Sequence, residues 1–323
     1  MYDLIIIGAG PSGIACGIEA QKAGLSYLIL EKGYLVNSLY NFPTNMTFFS
    51  TSQNLEIGDV PFISHTDKPT RKEALEYYRR IAEQYGLNIQ YQSKVLDIIK
   101  GNDGFLIEME SDGSLESKNV VVATGYYDHP RMLNIPGEDL KKVKHYYDDA
   151  HPYIGRKVVV IGAANSACDV ALETWQKGAE VTMVVREDQL YQKVKYWILP
   201  NIENRIKEGS IKAYFNSNLK EITSNSVIIN TPEGDVKIEN DYVLAMTGYK
   251  PDYAFLEKIG LSFQPGEEYR PICNSDTLES SIEGIYLAGV VISGLNTSAL
   301  FIENTRDHGK IIVDHIQKKE LSN

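Results

Sequence analysis

Cysteine is scarce in this chain: three residues in 323, Cys16, Cys168 and Cys273, far apart and odd in number. That excludes a disulfide framework and a Cys-rich metal site, and it suits a reducing, cytoplasmic setting. None of the six histidines falls in a metal-ligand spacing, so no metal is expected. Positive charge is also short. Lys and Arg number 32 against 43 Asp and Glu, a net charge of -11, which argues against nucleic acid as a partner because phosphate binding needs clustered cations. Long apolar runs are missing as well. The N-terminal run Leu4 to Ile7 has no basic flank and is too short for a signal peptide. The 18 uncharged residues from Ile285 to Ile302 are broken by Ser293, Gly294, Asn296, Thr297 and Ser298, so they read as strand, loop and helix start, and no membrane association is expected.

What remains is the composition of an ordinary globular protein, 43% hydrophobic and 23% charged, long enough for two domains. Its first unit is explicit. The buried-strand run Leu4–Ile7 leads into Gly8-Ala9-Gly10-Pro11-Ser12-Gly13, a small-residue helix from Ile14 to Ala20, and a second strand, Tyr27–Leu30, ending in Glu31. In a GxGxxG turn the first glycine permits a tight bend and the second lets the backbone approach a pyrophosphate. The third allows the helix to pack on the strand with its N-terminal amides toward the anion. Glu31, 23 positions beyond Gly8, stands where an acid accepts hydrogen bonds from an adenosine ribose.

The pattern returns 154 residues later. Val158–Ile161 runs into Gly162-Ala163-Ala164-Asn165-Ser166-Ala167, then a helix from Cys168 to Gln176 and the strand Val181–Val185 ending in Arg186. Ala164 and Ala167 replace the second and third glycines. Arg186 takes the place that Glu31 has in the first copy, and a guanidinium there suits a 2'-phosphate, favouring NADPH over NADH; Glu187 and Asp188, which follow, oppose a broad anion site. Two further strands, Asn119–Ala123 and Asp241–Met246, each end in Thr-Gly, at Thr124-Gly125 and Thr247-Gly248. Such pairs mark chain crossings. The expected fold is therefore α/β, two Rossmann-like three-layer dinucleotide-binding domains with the second inserted into the first, at 1–125 and 250–323 for one and 126–249 for the other. Ile285–Val291 would return the chain to the first sheet, and Ala299–Ile316 reads mainly as helix.

Tandem nucleotide units, paired Thr-Gly crossings and a late Ala288-Gly289 strand resemble the two-dinucleotide-binding flavoproteins that include thioredoxin reductases and flavin monooxygenases. More narrowly, Tyr40-Asn41-Phe42-Pro43-Thr44, Ile57-Gly58-Asp59-Val60-Pro61-Phe62, Ala150-His151-Pro152-Tyr153 and Trp197-Ile198-Leu199-Pro200-Asn201 resemble the bacillithiol disulfide reductases, and such blocks spread over nearly the whole chain. The resemblance implies FAD on the first unit, with contacts at Gly8, Gly10, Pro11, Ser12, Gly13, Glu31, Lys32, Ser38, Tyr40, Val95, Ala123, Thr124, Gly125, Gly289, Val290, Ala299 and Leu300. It implies NADPH on the second, at Gly162, Ala163, Ala164, Asn165, Ser166, Ala167, Arg186 and Gly248. A helix beginning near Thr297 to Leu300 would aim its amides at the N1 and C2 carbonyl edge of the flavin.

The departures bear on chemistry. The Cys-x-x-Cys pair of small thioredoxin reductases is missing, and so is the Phe-x-Gly-x-x-x-His signature of the monooxygenases. Bacillithiol disulfide reductases usually keep a cysteine directly after the proline of the first glycine motif, and here that position is Ser12, whose hydroxyl cannot exchange with a disulfide. Cys16, four residues on and on the same helix face, is the substitute to test, although its ordinary reading is a packed residue. The resemblance implies hydride transfer from NADPH to FAD and on to a low-molecular-weight thiol disulfide by a homodimer. The alternatives are a ferredoxin, flavodoxin or quinone acceptor, a monooxygenase-like reaction with oxygen, and a non-catalytic redox sensor of the NADPH pool.

Overall fold

The computed structural model describes residues 1–111 and 113–322, and its chain divides into two compact units. The first comprises residues 1–41, 45–129 and 249–323, the second residues 42–44 and 130–248.

In the first unit Tyr2–Ile7 lies at the centre of a sheet, parallel to Tyr27–Leu30 on one side and to Ser114–Val122 on the other. On its other edge the strand Ser114–Val122 is shared by two partners. Its first half pairs antiparallel with Phe105–Met109, and its second half pairs parallel with Ile285–Leu287 through Val120, Val121 and Val122. The late return to the first sheet is thus borne out. Successive strand residues face opposite ways. Leu4, Ile6, Ile29, Val121 and Tyr286 pack with Cys16, Ala20, Ile312 and Ile316 of the helices Pro11–Lys22 and His308–Ser322. Ile5, Ile7, Leu28, Val120 and Leu287 pack on the other face with Ile98, Phe105, Ile107 and Leu256. Because both faces are covered, the central strands are unbroken apolar runs.

The second unit repeats the plan. Lys157–Ile161 is flanked by parallel Glu180–Val184 and Tyr242–Ala245, with Lys212–Tyr214 and Val143–Lys144 at the edges. One face carries the helices Asn165–Gln176 and Leu199–Lys207, and the other carries Leu219, Ile222, Val227 and Ile229 of an antiparallel three-stranded meander. Both units are Rossmann-like and three-layered, as expected. No helix among the described residues is long and apolar enough to cross a membrane.

Two expectations differ in detail. The first unit keeps Tyr126 to His129 and Tyr249, because Asp128 pairs with Lys32 at 2.8 Å and the Lys250 amide donates to the His129 carbonyl at 2.9 Å. The span Ala299–Ile316 is not one helix. Residues 297–301 are non-helical, Ile302–Thr305 forms a single turn, and the long helix begins at His308. Asn304 Oδ1 accepts the Phe301 amide at 2.7 Å, which makes Phe301 the N-cap of the short turn.

Candidate cofactor sites

The glycine turn of the first unit is held by contacts a side chain would destroy. Gly8 has φ +107°, and a Cβ there would lie 2.6 Å from the Ala123 carbonyl oxygen; a Cβ on Gly13 would overlap the Gly8 carbonyl. A Cβ at Gly10 would meet nothing within 4 Å, so the turn stays open outward at its middle glycine. Gly10 is the N-cap of Pro11–Lys22, and no side chain caps it among the described residues. That helix therefore offers its first amides to an anion.

Glu31 is 5% exposed, and its carboxylate accepts the amides of Ala9 and Gly33, each at 2.8 Å. Burial pushes its pKa up while the two amides pull the other way. Each oxygen still has a lone pair for a ribose hydroxyl. The Val36 amide donates to the Ala9 carbonyl at 3.0 Å, which ties the short helix Asn37–Tyr40, with Ser38 and Tyr40, to the glycine turn. Arg71 holds that helix from below, donating from Nε to the Leu39 carbonyl at 3.1 Å and from Nη2 to the Tyr40 carbonyl. Lys32 is engaged by Asp128 at 2.8 Å, and Val95 sits in the core two residues after Ser93, whose amide bonds the Glu31 carbonyl at 2.9 Å.

The late segments converge on the same turn. The Ala123 amide donates to the Ile7 carbonyl at 2.9 Å, and Gly125 faces Val290. Gly289 lies directly against Ser12, whose Oγ is 3.2 Å from Thr305 Oγ1. Thr124 Oγ1 is buried without a hydrogen-bond partner, an orphan polar atom beside the turn. The Tyr126 hydroxyl donates to the Thr297 carbonyl at 3.3 Å and so ties the turn carrying Ala299 and Leu300 to the same place. An open glycine cradle, an uncapped helix and an orphaned hydroxyl are what a bound dinucleotide would complete, so these residues fit FAD.

Sequence reasoning missed His308. It is 9% exposed, and its Nδ1 accepts the Gly289 amide at 3.1 Å. Burial lowers its pKa to about 4, against the smaller pull of Asp307, so the ring is neutral at pH 7. Only its place one residue before Gly309 in a helix was legible, and that carries no chemistry.

The structure corrects Cys16 as a thiol candidate. Its side chain is fully buried between the sheet and the helix His308–Ser322, and burial raises its pKa to about 12. Cys168 is also buried with a pKa raised to about 12, and burial pushes Cys273 up too. The flavin-directed helix at Thr297 to Leu300 is corrected as well, since that stretch is non-helical.

In the second unit Gly162 has φ +124°, and a Cβ would lie 2.6 Å from the Met246 carbonyl oxygen, the same crossing that Gly8 makes with Ala123. Ala164 caps Asn165–Gln176 with no side-chain bond, and Ala167 is buried at the third position. Ala163 and Asn165 are used by the chain itself: the Ala163 carbonyl accepts the Tyr191 amide at 3.0 Å, and Asn165 Oδ1 accepts the Lys195 amide at 2.8 Å. Lys195 Nζ pairs with Asp169 at 2.8 Å, fixing residues 191–195 beside the turn. Ser166 is in the first turn of the helix, and Gly248 closes the crossing by accepting the Arg131 amide at 2.9 Å. Arg186 stands at the strand end, 78% exposed, with Nε and Nη2 both on Glu187 Oε1 at 2.9 and 2.7 Å. No cluster of metal-ligating side chains occurs among the described residues.

Two dinucleotide cradles, each at the end of a parallel central strand, define the flavin- and nicotinamide-dependent oxidoreductase class. The sequence pattern of the family described as pyridine nucleotide-disulphide oxidoreductase matches residues 5–289. The chain is 43% identical over 318 residues to bacilliredoxin reductase Bdr of Bacillus subtilis (strain 168), covering 98% of both. Its fold is similar to bacillithiol disulfide reductase Bdr (YpdA) from Bacillus cereus, with TM-score 0.96 and 43% identity over 98% of this chain and 99% of that one. The same protein from Staphylococcus aureus gives TM-score 0.95 and 41% identity over 98% of each. The chain belongs to the pyridine nucleotide-disulphide oxidoreductases and, within them, to the bacillithiol disulfide reductase family. It is a flavin-dependent oxidoreductase that uses FAD and NADPH.

Proposed function

We propose that this enzyme spends one NADPH and one proton to convert a low-molecular-weight thiol disulfide of the bacillithiol type into two thiols, working in the cytoplasm as a homodimer. Full-length likeness to two solved structures named for that activity carries the reading. When bound, FAD supplies the two-electron relay between nucleotide and acceptor. The first unit's glycine turn and helix amides would hold its pyrophosphate, Glu31 its ribose, and the segments at Thr124-Gly125 and Gly289-Val290 the remainder. Gly162 to Ala167 would hold the NADPH pyrophosphate, and Arg186 its 2'-phosphate.

Ser12 gives this reading its particular form. The chain offers a hydroxyl at the family's thiol position, and burial raises the pKa of all three cysteines, Cys16, Cys168 and the partly exposed Cys273, which disfavours a protein thiolate that could form a mixed disulfide. The purified protein should be yellow, bleach anaerobically with NADPH, and reduce bacillithiol disulfide at a rate that iodoacetamide leaves unchanged. Loss of turnover on alkylation would return the chemistry to a cysteine. Turnover with ferredoxin or oxygen but no thiol disulfide would overturn the substrate assignment.

A further inference from the structure

We infer that Glu187 sets the nucleotide preference of this enzyme by competing with the 2'-phosphate for Arg186, so that its carboxylate weakens the discrimination between NADPH and NADH. The inference deepens the proposed function and rests on its assignment of NADPH to the second unit. Arg186 is the cation at the end of the second strand of that Rossmann motif, where an arginine accommodates a 2'-phosphate and an acid instead bonds the free 2'-hydroxyl of NADH. This chain puts both kinds of group there in adjacent residues.

The geometry makes them rivals. Nε and Nη2, which form the side edge of the Arg186 guanidinium, both donate to Glu187 Oε1 at 2.9 and 2.7 Å, so only its Nη1–Nη2 end is left for a phosphate. The backbone that carries this carboxylate is fixed. The Glu187 carbonyl accepts the Asn216 amide at 2.9 Å, and two residues earlier the Val185 carbonyl accepts the Ser217 amide at 3.0 Å, so residues 185–187 are pinned to the following turn. Asp188 adds a second negative charge, leaving residues 186–188 at a net charge of about -1 before any nucleotide arrives.

A 2'-phosphate must therefore either displace Glu187 from that edge or bind the Nη1–Nη2 end beside it, and in both cases it meets the neighbouring carboxylate as a dianion meeting a negative charge. The pair itself is exposed and cheap to break. The lasting penalty is the like-charge repulsion. NADH escapes it, because a 2'-hydroxyl can donate to the same carboxylate that a phosphate repels. Arg186 and Glu187 thus pull the preference in opposite directions.

The test is binding without turnover, measured calorimetrically on the FAD-loaded protein with 2',5'-ADP and 5'-AMP as the two probes, for wild type, Glu187→Gln and Arg186→Ala. Glu187→Gln should tighten 2',5'-ADP about tenfold at low salt, an effect that shrinks as salt rises, with 5'-AMP unchanged or weaker. Arg186→Ala should weaken 2',5'-ADP alone. In NADPH-driven flavin reduction Glu187→Gln should lower the apparent dissociation constant for NADPH, and Arg186→Ala should raise it. An unchanged ratio of the two probe affinities in Glu187→Gln overturns the inference, and so does a wild type that binds neither probe. Because no disulfide enters the experiment, a wrong acceptor would sink the proposed substrate and leave this result standing.

Discussion

At the scale of single residues, the first cradle depends on a histidine placed by distant chain. His308 reaches Gly289 with its Nδ1, and Gly289 in turn abuts Ser12. The accepting Nδ1 must be unprotonated, so the contact exists only for the neutral ring. The folded pKa of about 4 lies below the ordinary value of 6.5. Stability from keeping this ring neutral is therefore fully present above about pH 6.5 and is lost as pH falls toward 4, by up to about 3 kcal/mol. His308→Asn offers an amide oxygen in place of Nδ1 and does not titrate. Melting temperatures from pH 7 to pH 4 should fall more steeply for wild type than for that variant. Parallel curves would mean that the Gly289 contact does not govern the pH response.

At the scale of elements, what a sequence can display is what short-range sterics decide. The turn at Gly8 to Gly13 and its copy at Gly162 to Ala167 were legible because positive φ and close carbonyl approach demand glycine at particular places. Runs such as Leu4 to Ile7 were legible because strands covered on both faces carry no polar alternation. The late start of the helical part of Ala299–Ile316 was not legible, since Asn304 accepts the Phe301 amide at the start of Ile302–Thr305, a choice that apolar periodicity does not encode. The burial of Cys16 also depended on a partner element far along the chain. The final helix crosses Pro11–Lys22 at Gly309, where a Cβ would sit 2.7 Å from Ala15 backbone atoms and 2.8 Å from the Cys16 nitrogen. Gly309→Ala must push the two helices apart and carry His308 away from Gly289. It should cost about 1–3 kcal/mol and weaken FAD retention on a desalting column. Lys310→Ala, at an exposed position of the same helix, should stay within about 0.5 kcal/mol of wild type. Equal stability of the two variants would show that the crossing is not tight.

At the scale of the whole molecule, each of the two units has apolar clusters on both faces of its own central sheet, and each carries its own glycine turn. A ligand that binds only the folded form of one unit stabilises that unit by mass action, by about 2.7 kcal/mol when free ligand is a hundred times its dissociation constant. Two cores with two ligands should then unfold as two calorimetric events that respond separately. Starting from protein stripped of flavin, added FAD should raise one transition and leave the other in place, while 2',5'-ADP should raise the second and spare the first. Assignment follows from variants already named, since Gly309→Ala should lower only the FAD-responsive event. A single transition moved equally by both ligands would mean that the units unfold as one cooperative body, and that the repeated dinucleotide plan does not confer separate stabilities.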